Sequence, residues 1–418
     1  VEVVMQLAFV LAMTFSIAGS VALAPAAGGA AGLTAEPRVE IAHPGTGHEV
    51  HLSAPAVAVA SDGVAVVAWI AQAGHGANVY IARPGPGESK PVRVNPDDLQ
   101  AESLHQSPGL AVGPGHEIYV SWSSPKSKPP GVLFASDLQL SRSLDGARSF
   151  ERPTRVNDDR PMSHSFEGLA VGADGTVLVG WIDAREGEGQ PRSYLARIVE
   201  RGSRVERAVQ LDGGETCVCC RLDVATGDHS VATVWRRVFP GNVRDMVLGL
   251  SRDGGRSFGP ASRVKVDGWK IAACPHRGGK VGLDGRGRVH VAWYTEGPDE
   301  TPRVLYAASG DGRTFGAPQR LASAAGSVPD HVGLAVTRTG IVAAVWEEST
   351  AVRRRVKLRV SRDGGKSFDE ARSLSTAIKA YAPAVAAGPG GDVVAVWHEE
   401  QFPLTKTVVQ ALRVSRSR

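Results

Sequence analysis

The chain has 418 residues, 42% of them hydrophobic and 22% charged, with a formal net charge of +4. That apolar content permits a large packed core and excludes wholesale disorder, and so small and evenly spread a charge gives no sign of nucleic-acid binding. Gly 49 and Pro 26 together make 75 residues, about 18% of the chain, against roughly 12% in average usage, which suits many short strands joined by turns and not a helical bundle.

Residues 5–24, MQLAFVLAMTFSIAGSVALA, are apolar and uncharged and run into a small-residue stretch. This predicts a secretory signal cleaved near Ala22–Ala24, with a spacer to residue 36. No Lys or Arg precedes the run, the first basic residue being Arg38. An uncleaved membrane anchor is the alternative, since such a run can just span a bilayer. Export would place the thiols in an oxidising compartment.

Past residue 50 one pattern returns seven times: a strand ending in a small-apolar triplet, a Gly-containing turn, and an alternating strand closing on Trp, as in LAVGADGTVLVGW. The tryptophans are Trp69, Trp122, Trp181, Trp235, Trp293, Trp346 and Trp397, spaced 51 to 59 residues apart, close to the length of a four-stranded propeller blade with its loops. The predicted fold is all-β, a seven-bladed β-propeller over residues 37–418, each Trp packing between neighbouring blades. The seventh copy ends without a fourth strand. PRVEIA, residues 37–42, carries the fourth-strand pattern and is expected to close the ring.

The turns between third and fourth strands hold a second repeat. Ser251–Phe258 and Ser361–Phe368 fit S-x-D-x-G-x-[ST]-[FW]; Ser143–Phe150 has Ala147 at the glycine, and Ser309–Phe315 is one residue shorter. This resembles the Asp-box, or BNR, repeat of the sialidase-like propeller superfamily, over residues 37–418. The resemblance implies a propeller, with six blades as the alternative to seven, and boxes on the face away from the active site. Sialidases of this type carry a Tyr nucleophile paired with a Glu, an Asp acid and three arginines that clamp a carboxylate. The usual R-I-P motif of the first arginine does not occur here. Arg221, Arg237 and Arg277 with Tyr294, Glu296 and Asp183 are loose candidates in upper-face loops, none matching a family motif residue by residue.

Just ahead of the first strand of each copy lie HLSA, LHQS, SHSF, TCVC, PHRG, VPDH and KAYA. Five of these windows contain a histidine: His51, His105, His164, His276 and His331. Chance would put about 0.8 histidines there, so the slot itself is informative. The fourth window holds Cys217 and Cys219, with Cys220 next, and Cys274 sits two residues before His276. In a propeller this slot opens onto one mouth of the central channel, so residues far apart in sequence converge. Imidazole with thiolate suits Cu(I) or Zn(II), and sulfur favours copper. A disulfide from Cys217 or Cys219 to Cys274 is the competing reading for an exported chain, whereas adjacent Cys219 and Cys220 would form a strained bond. His43, His48, His75, His116, His229 and His290 read as polar fillers, and His398, beside Trp397, as an outer candidate.

The sequence therefore predicts a monomeric exported propeller, periplasmic or secreted, that binds copper, with zinc as second candidate, at a Cys/His cluster in its central mouth. Its expected partners are the metal and another exported metal-handling protein, with no nucleic acid and no membrane span once the signal is removed. Enzyme activity is the lesser expectation, in the form of an exo-sialidase-like glycoside hydrolase. A metal-free scaffold with structural disulfides is the third reading.

Overall fold

Runs rich in Val, Ala and Ile with period-two polarity make strands whose two faces both find cover, one on each neighbouring sheet. The computed structural model describes residues 33–41, 50–74, 76–84, 90–102, 104–187, 189–323, 326–401 and 404–414. The predicted signal segment before residue 33, and His43, His48 and His75, lie outside them. Four consecutive antiparallel sheets repeat one plan: Gly109–Val112, Ile118–Pro125, Ser136–Ser143 and Thr154–Arg155; then His164–Val171, Val177–Asp183 and Arg192–Val199 with two short outer strands; then Asp223–Thr226, Val231–Phe239, Val243–Ser251 and Ser262–Arg263; then Lys280–Leu283, Val289–Thr295, Arg303–Ser309 and Gln319–Ser323. Ahead of them stand Ala56–Val59, Ala65–Ala73, Gly76–Ala82 and Val92–Arg93, with Val50–Leu52 continuing the inner edge. After them a nine-stranded sheet contains two such units, joined through the single parallel pair Arg354↔Lys379.

The last strand, Leu404–Val414, takes an antiparallel partner from the amino end, with Val39 opposite Val409 and Ile41 opposite Thr407. Leu33–Ala35, assigned to the spacer by sequence, pairs with it too, Leu33 facing Val414. The physical reason is length: an 11-residue strand leaves open edge beyond residues 39–41, and the preceding chain covers it.

Each repeat tryptophan is at most 1% exposed. Trp122 shares a core with Val66 and Val79 of the sheet before it, Trp181 with Tyr119 and Leu138, and Trp235 with Leu178 and Leu195. Trp293, Trp346 and Trp397 follow the same rule. Trp69 lies with Val396 and Val409, so the last sheet packs on the first and the succession of cores closes on itself. This all-β arrangement is that of a β-propeller. The inner strands surround a cavity of about 190 Å³ lined by Val57, Leu110, Leu169, Leu334 and Val385.

The Asp boxes cap the turns toward the end opposite the cysteine loop, because antiparallel connections alternate ends. In Ser251–Phe258, Gly255 N donates to Ser251 Oγ (2.8 Å), while Ser257 N and Arg256 N both donate to Asp253 Oδ1 (3.0 Å). Burial is the largest single influence and raises the Asp253 carboxyl, but bonds from Ser251 Oγ, Ser257 Oγ, Ser257 N and Arg256 N together hold it well below its usual range.

Candidate functional site

The mouth at the fourth-to-first strand connections is a cleft of about 390 Å³. Backbone irregularity explains which side chains reach it. The pairing register slips between Ser165 and Gly168, between Asp330 and Gly333, and between Tyr381 and Ala384. Within these slips Phe166, His331 and Ala382 have φ of 56°, 45° and 52°, and His276, in the same slot ahead of Lys280–Leu283, has 53°. A bulge turns its extra side chain off the ladder, and all four of these residues, with His105, line the cleft. Left-handed backbone at non-glycine residues carries strain, which concentrates at sites with a job to do.

The histidine row contracts accordingly. His105 and His276 stack with centroids 5.8 Å apart, and Phe166 lies 5.9 Å from His276. Burial and then the neighbouring His105 push His276 below the ordinary imidazole value, favouring the neutral, ligating form. His164 is not part of this group. It sits two residues before the bulged Phe166, is 0% exposed, and places Nδ1 2.8 Å from Ser136 O and Nε2 3.6 Å from Asp183. His51 is paired opposite Gln72 on the edge strand and lines no part of the cleft. His398 is buried with Nε2 donating to Ser53 O at 2.8 Å.

The three cysteines of the fourth window come together. Their Sγ atoms all lie within 4.8 Å of one another in a buried group covered by Phe166 and Val238. Cys217 and Cys220 Sγ are 2.9 Å apart, Cys220 N donates to Cys217 O at 3.3 Å, and Arg244 Nη1 donates to Cys217 Sγ at 3.2 Å. Cys219 also lines the cleft. Thiols of Cys219 and Cys220, then Arg236 and Arg244, hold Cys217 far below the usual thiol value, although burial opposes them. Cys274 is exposed and stands outside the triad, and all four cysteines are free, so the competing disulfide from Cys217 or Cys219 to Cys274 is not formed here.

Two supports escaped the sequence reading. Arg236 is buried and donates to Tyr294 O (2.7 Å), Arg244 O (2.9 Å) and Arg277 O, with its guanidinium 4.7 Å over Trp269. It bolts the strand Val231–Phe239, whose Arg236 O accepts from Cys217 N, to the loop carrying His276. Trp269 falls outside the tryptophan period, so no repeat pointed to it, whereas Arg236 follows Trp235 in the slot that also supplies Tyr294 and Glu347.

Polar groups complete the lining. Arg277 donates through Nε to Asp330 Oδ1 (2.7 Å), bonds the second Asp330 oxygen, and lies 5.0 Å over the Tyr294 ring. Tyr294 donates to Glu296 Oε1 at 2.5 Å, and burial followed by Glu296 raises its phenol value. His331 stands 3.4 Å from Glu347 and 3.5 Å from Asp330. Burial disfavours its cationic form, but Glu347 and Asp330 raise it above its ordinary value. Arg221 lines the cleft and faces the buried Glu167 at 3.7 Å. Asp183 and Arg237 do not join them. Asp183 is wholly buried against Trp181 and Arg185, and Arg237 pairs with Asp212 at 3.0 Å. Asp330, Glu347 and Arg354 stand on the strands Val328–Val336, Val342–Ser349 and Arg354–Ser361, and were missed because their partners lie on other strands or loops and cannot be read from a single repeat.

No protein-family model matches the chain, and no curated protein matches it by sequence. Among solved structures, it is similar to a PL25 polysaccharide lyase, an ulvan lyase bound to -[GlcA(1-4)Rha3S]-, at 12% identity and TM-score 0.56, over 90% of this chain and 94% of that one. An α-L-arabinofuranosidase from Fusarium graminearum matches at 12% identity and TM-score 0.51, over 91% and 98%. A Hadza microbial sialidase matches at 13% identity and TM-score 0.50, over 82% and 73%. Likeness at such identity establishes the shared propeller architecture and leaves the chemistry to the site.

Proposed function

We propose that this chain is a seven-bladed propeller whose mouth captures a soft metal ion, copper first and zinc second, on the Cys217, Cys219 and Cys220 thiols. The count of seven treats the nine-stranded sheet as two blades, since one residue pair joins them. The carrying observation is three thiol sulfurs within 4.8 Å of each other, one of them open to a cleft that also holds His105 and His276. Thiolates are the preferred donors for Cu(I), and the stacked imidazoles can complete the shell. Arg244 donates to Cys217 Sγ while also bonded to Asn242 Oδ1 and Ala273 O, so it keeps partners if an ion takes its place on the sulfur. Periplasmic or secreted placement and delivery to another metal-handling protein belong to this reading. The test is anaerobic Cu(I) competition against a chromophoric chelator, with Zn(II) in parallel. One Cu(I) per chain, lost on Cys217→Ser or Cys220→Ser in a folded protein, supports it; no uptake by fully reduced protein sinks it.

A second reading rests on the short Tyr294–Glu296 bond beneath Arg277. A tyrosine with a carboxylate and arginines suits a glycan-acting enzyme, and the ulvan lyase, arabinofuranosidase and sialidase above all act on sugars by name. With Asp183 and Arg237 outside the cleft, the expected acid and one expected arginine are missing from it. Metal capture ranks first, and no sialic acid release from a fluorogenic sialoside is expected.

A further inference from the structure

We propose that the thiol triad is also a dithiol–disulfide couple that exchanges with low-molecular-weight disulfides, closing between Cys217 and Cys220 and thereby releasing the metal. The metal half of this inference rests on the reading above; the redox half stands on the thiols alone. Cys217 and Cys220 are spaced i, i+3 across a turn closed by Cys220 N donating to Cys217 O. Such a turn brings its end Cα atoms within about 7 Å, the span a disulfide needs. The two sulfurs already touch at 2.9 Å. Cys219 cannot pair with adjacent Cys220 without strain, yet it is the member that lines the cleft, while Cys217 and Cys220 are 0% exposed.

All three cysteines are buried, Cys219 at 4% exposure, and its place on the cleft wall assigns it the first contact with an incoming disulfide. Cys219 gives up its proton as its sulfur attacks an incoming disulfide R–S–S–R, forming Cys219–S–S–R and expelling one thiolate, which takes that proton to become RSH. The Cys217 thiolate, stabilised by the Arg244 guanidinium, attacks the Cys219 sulfur and expels the second RSH. Cys220 then attacks Cys217 Sγ, leaving the Cys217–Cys220 disulfide and returning Cys219 to the thiol. Two electrons and two protons pass from Cys217 and Cys220 to the small disulfide, and the ion is left with one sulfur where it had three.

The experiment equilibrates metal-free protein in glutathione buffers of graded poise, traps free thiols by alkylation and locates the label by tandem mass spectrometry. Under oxidising buffer the label should remain on Cys219 and Cys274 only, and Cu(I) uptake should fall by about 100-fold. Cys274→Ser should change neither result. Cys219→Ser should still close the disulfide but about tenfold more slowly, and Cys217→Ser should accumulate glutathione on Cys219. Label lost from Cys274, label retained on all four cysteines, or Cys219→Ser oxidising at the parent rate would each overturn the couple as drawn. Equal Cu(I) uptake by both redox forms would overturn the release step. A disulfide that forms normally in protein that never binds Cu(I) would uphold the couple and dispose of the metal reading instead.

Discussion

Single residues separate ligands from scenery. His276→Ala and His105→Ala should each weaken Cu(I) uptake by about tenfold, read by chelator competition, while His164→Ala should leave uptake unchanged and lower the melting temperature, because it removes bonds between buried strands. The boxes offer a paired test of backbone strain. Gly365 has φ +80, and a Cβ there would lie 1.7 Å from Tyr306 Oη, so Gly365→Ala should cost about 3 kcal/mol in urea unfolding, left-handed strain and overpacking together. Ala147 holds the equivalent position at φ 71°, so Ala147→Gly should stabilise by about 1 kcal/mol. Equal and opposite-sign failure of both would mean that the box tolerates side chains.

At the scale of elements, the strand–turn–strand–Trp repeat was readable because each copy must solve the same packing problem, and seven tryptophans record the solution. The mouth was readable only to within the width of a window. His105, His276, His331 and Cys219 meet there, whereas His51 and His164 do not: a bulge after His164 turns Phe166 to the cleft in its place, and His51 pairs opposite Gln72 on an edge strand. Nothing in the repeat marks a register slip before the hydrogen bonds are seen. Arg236, Asp330 and Glu347 stayed hidden for a related reason: their significance lies in partners 41 to 58 residues away or across a strand pair, as with Arg236 on Arg277 O and Tyr294 O. Burial also sets a pH response at this scale. His290 touches Tyr306 Oη at 2.6 Å and His398 touches Ser53 O, and burial lowers each to about 4. The unfolded chain, with histidines near 6.5, takes up those protons first as pH falls. Stability from this source is therefore complete above about pH 6.5 and is lost toward pH 4, by about 3 kcal/mol per histidine at most. Urea midpoints at pH 7 and pH 4.5 check this; His398→Gln should flatten the slope, and an unchanged slope would remove His398 from the account.

For the whole molecule, closure is the decisive feature. Strands 33–35 and 39–41 cover the final strand, Arg38 reaches across to Thr376 Oγ1 at 3.2 Å and stacks 5.6 Å from Trp397, and Trp69 packs on the last sheet. The core between last and first sheets thus depends on the amino-terminal strands to hold one of its walls in register. Without them the edge of Leu404–Val414 is exposed along its length, a template for pairing between chains. A chain beginning after residue 41 should associate at micromolar concentration and lose a single sharp unfolding transition, both visible by light scattering and calorimetry. Supplying residues 33–41 as a peptide in trans should restore the monomer, because the missing contacts, namely backbone pairs, the buried Ile41, the Arg38 bond and cation–π stack, and the Glu36 and Glu40 ion pairs, are all carried within that segment. A soluble truncated chain with the parent's melting curve would show instead that the two ends of the ring hold by side-chain packing alone. Copper uptake should survive in that refolded two-piece protein, since the thiol triad sits on sheets whose cores, around Trp235 and Trp293, share no residue with the closure.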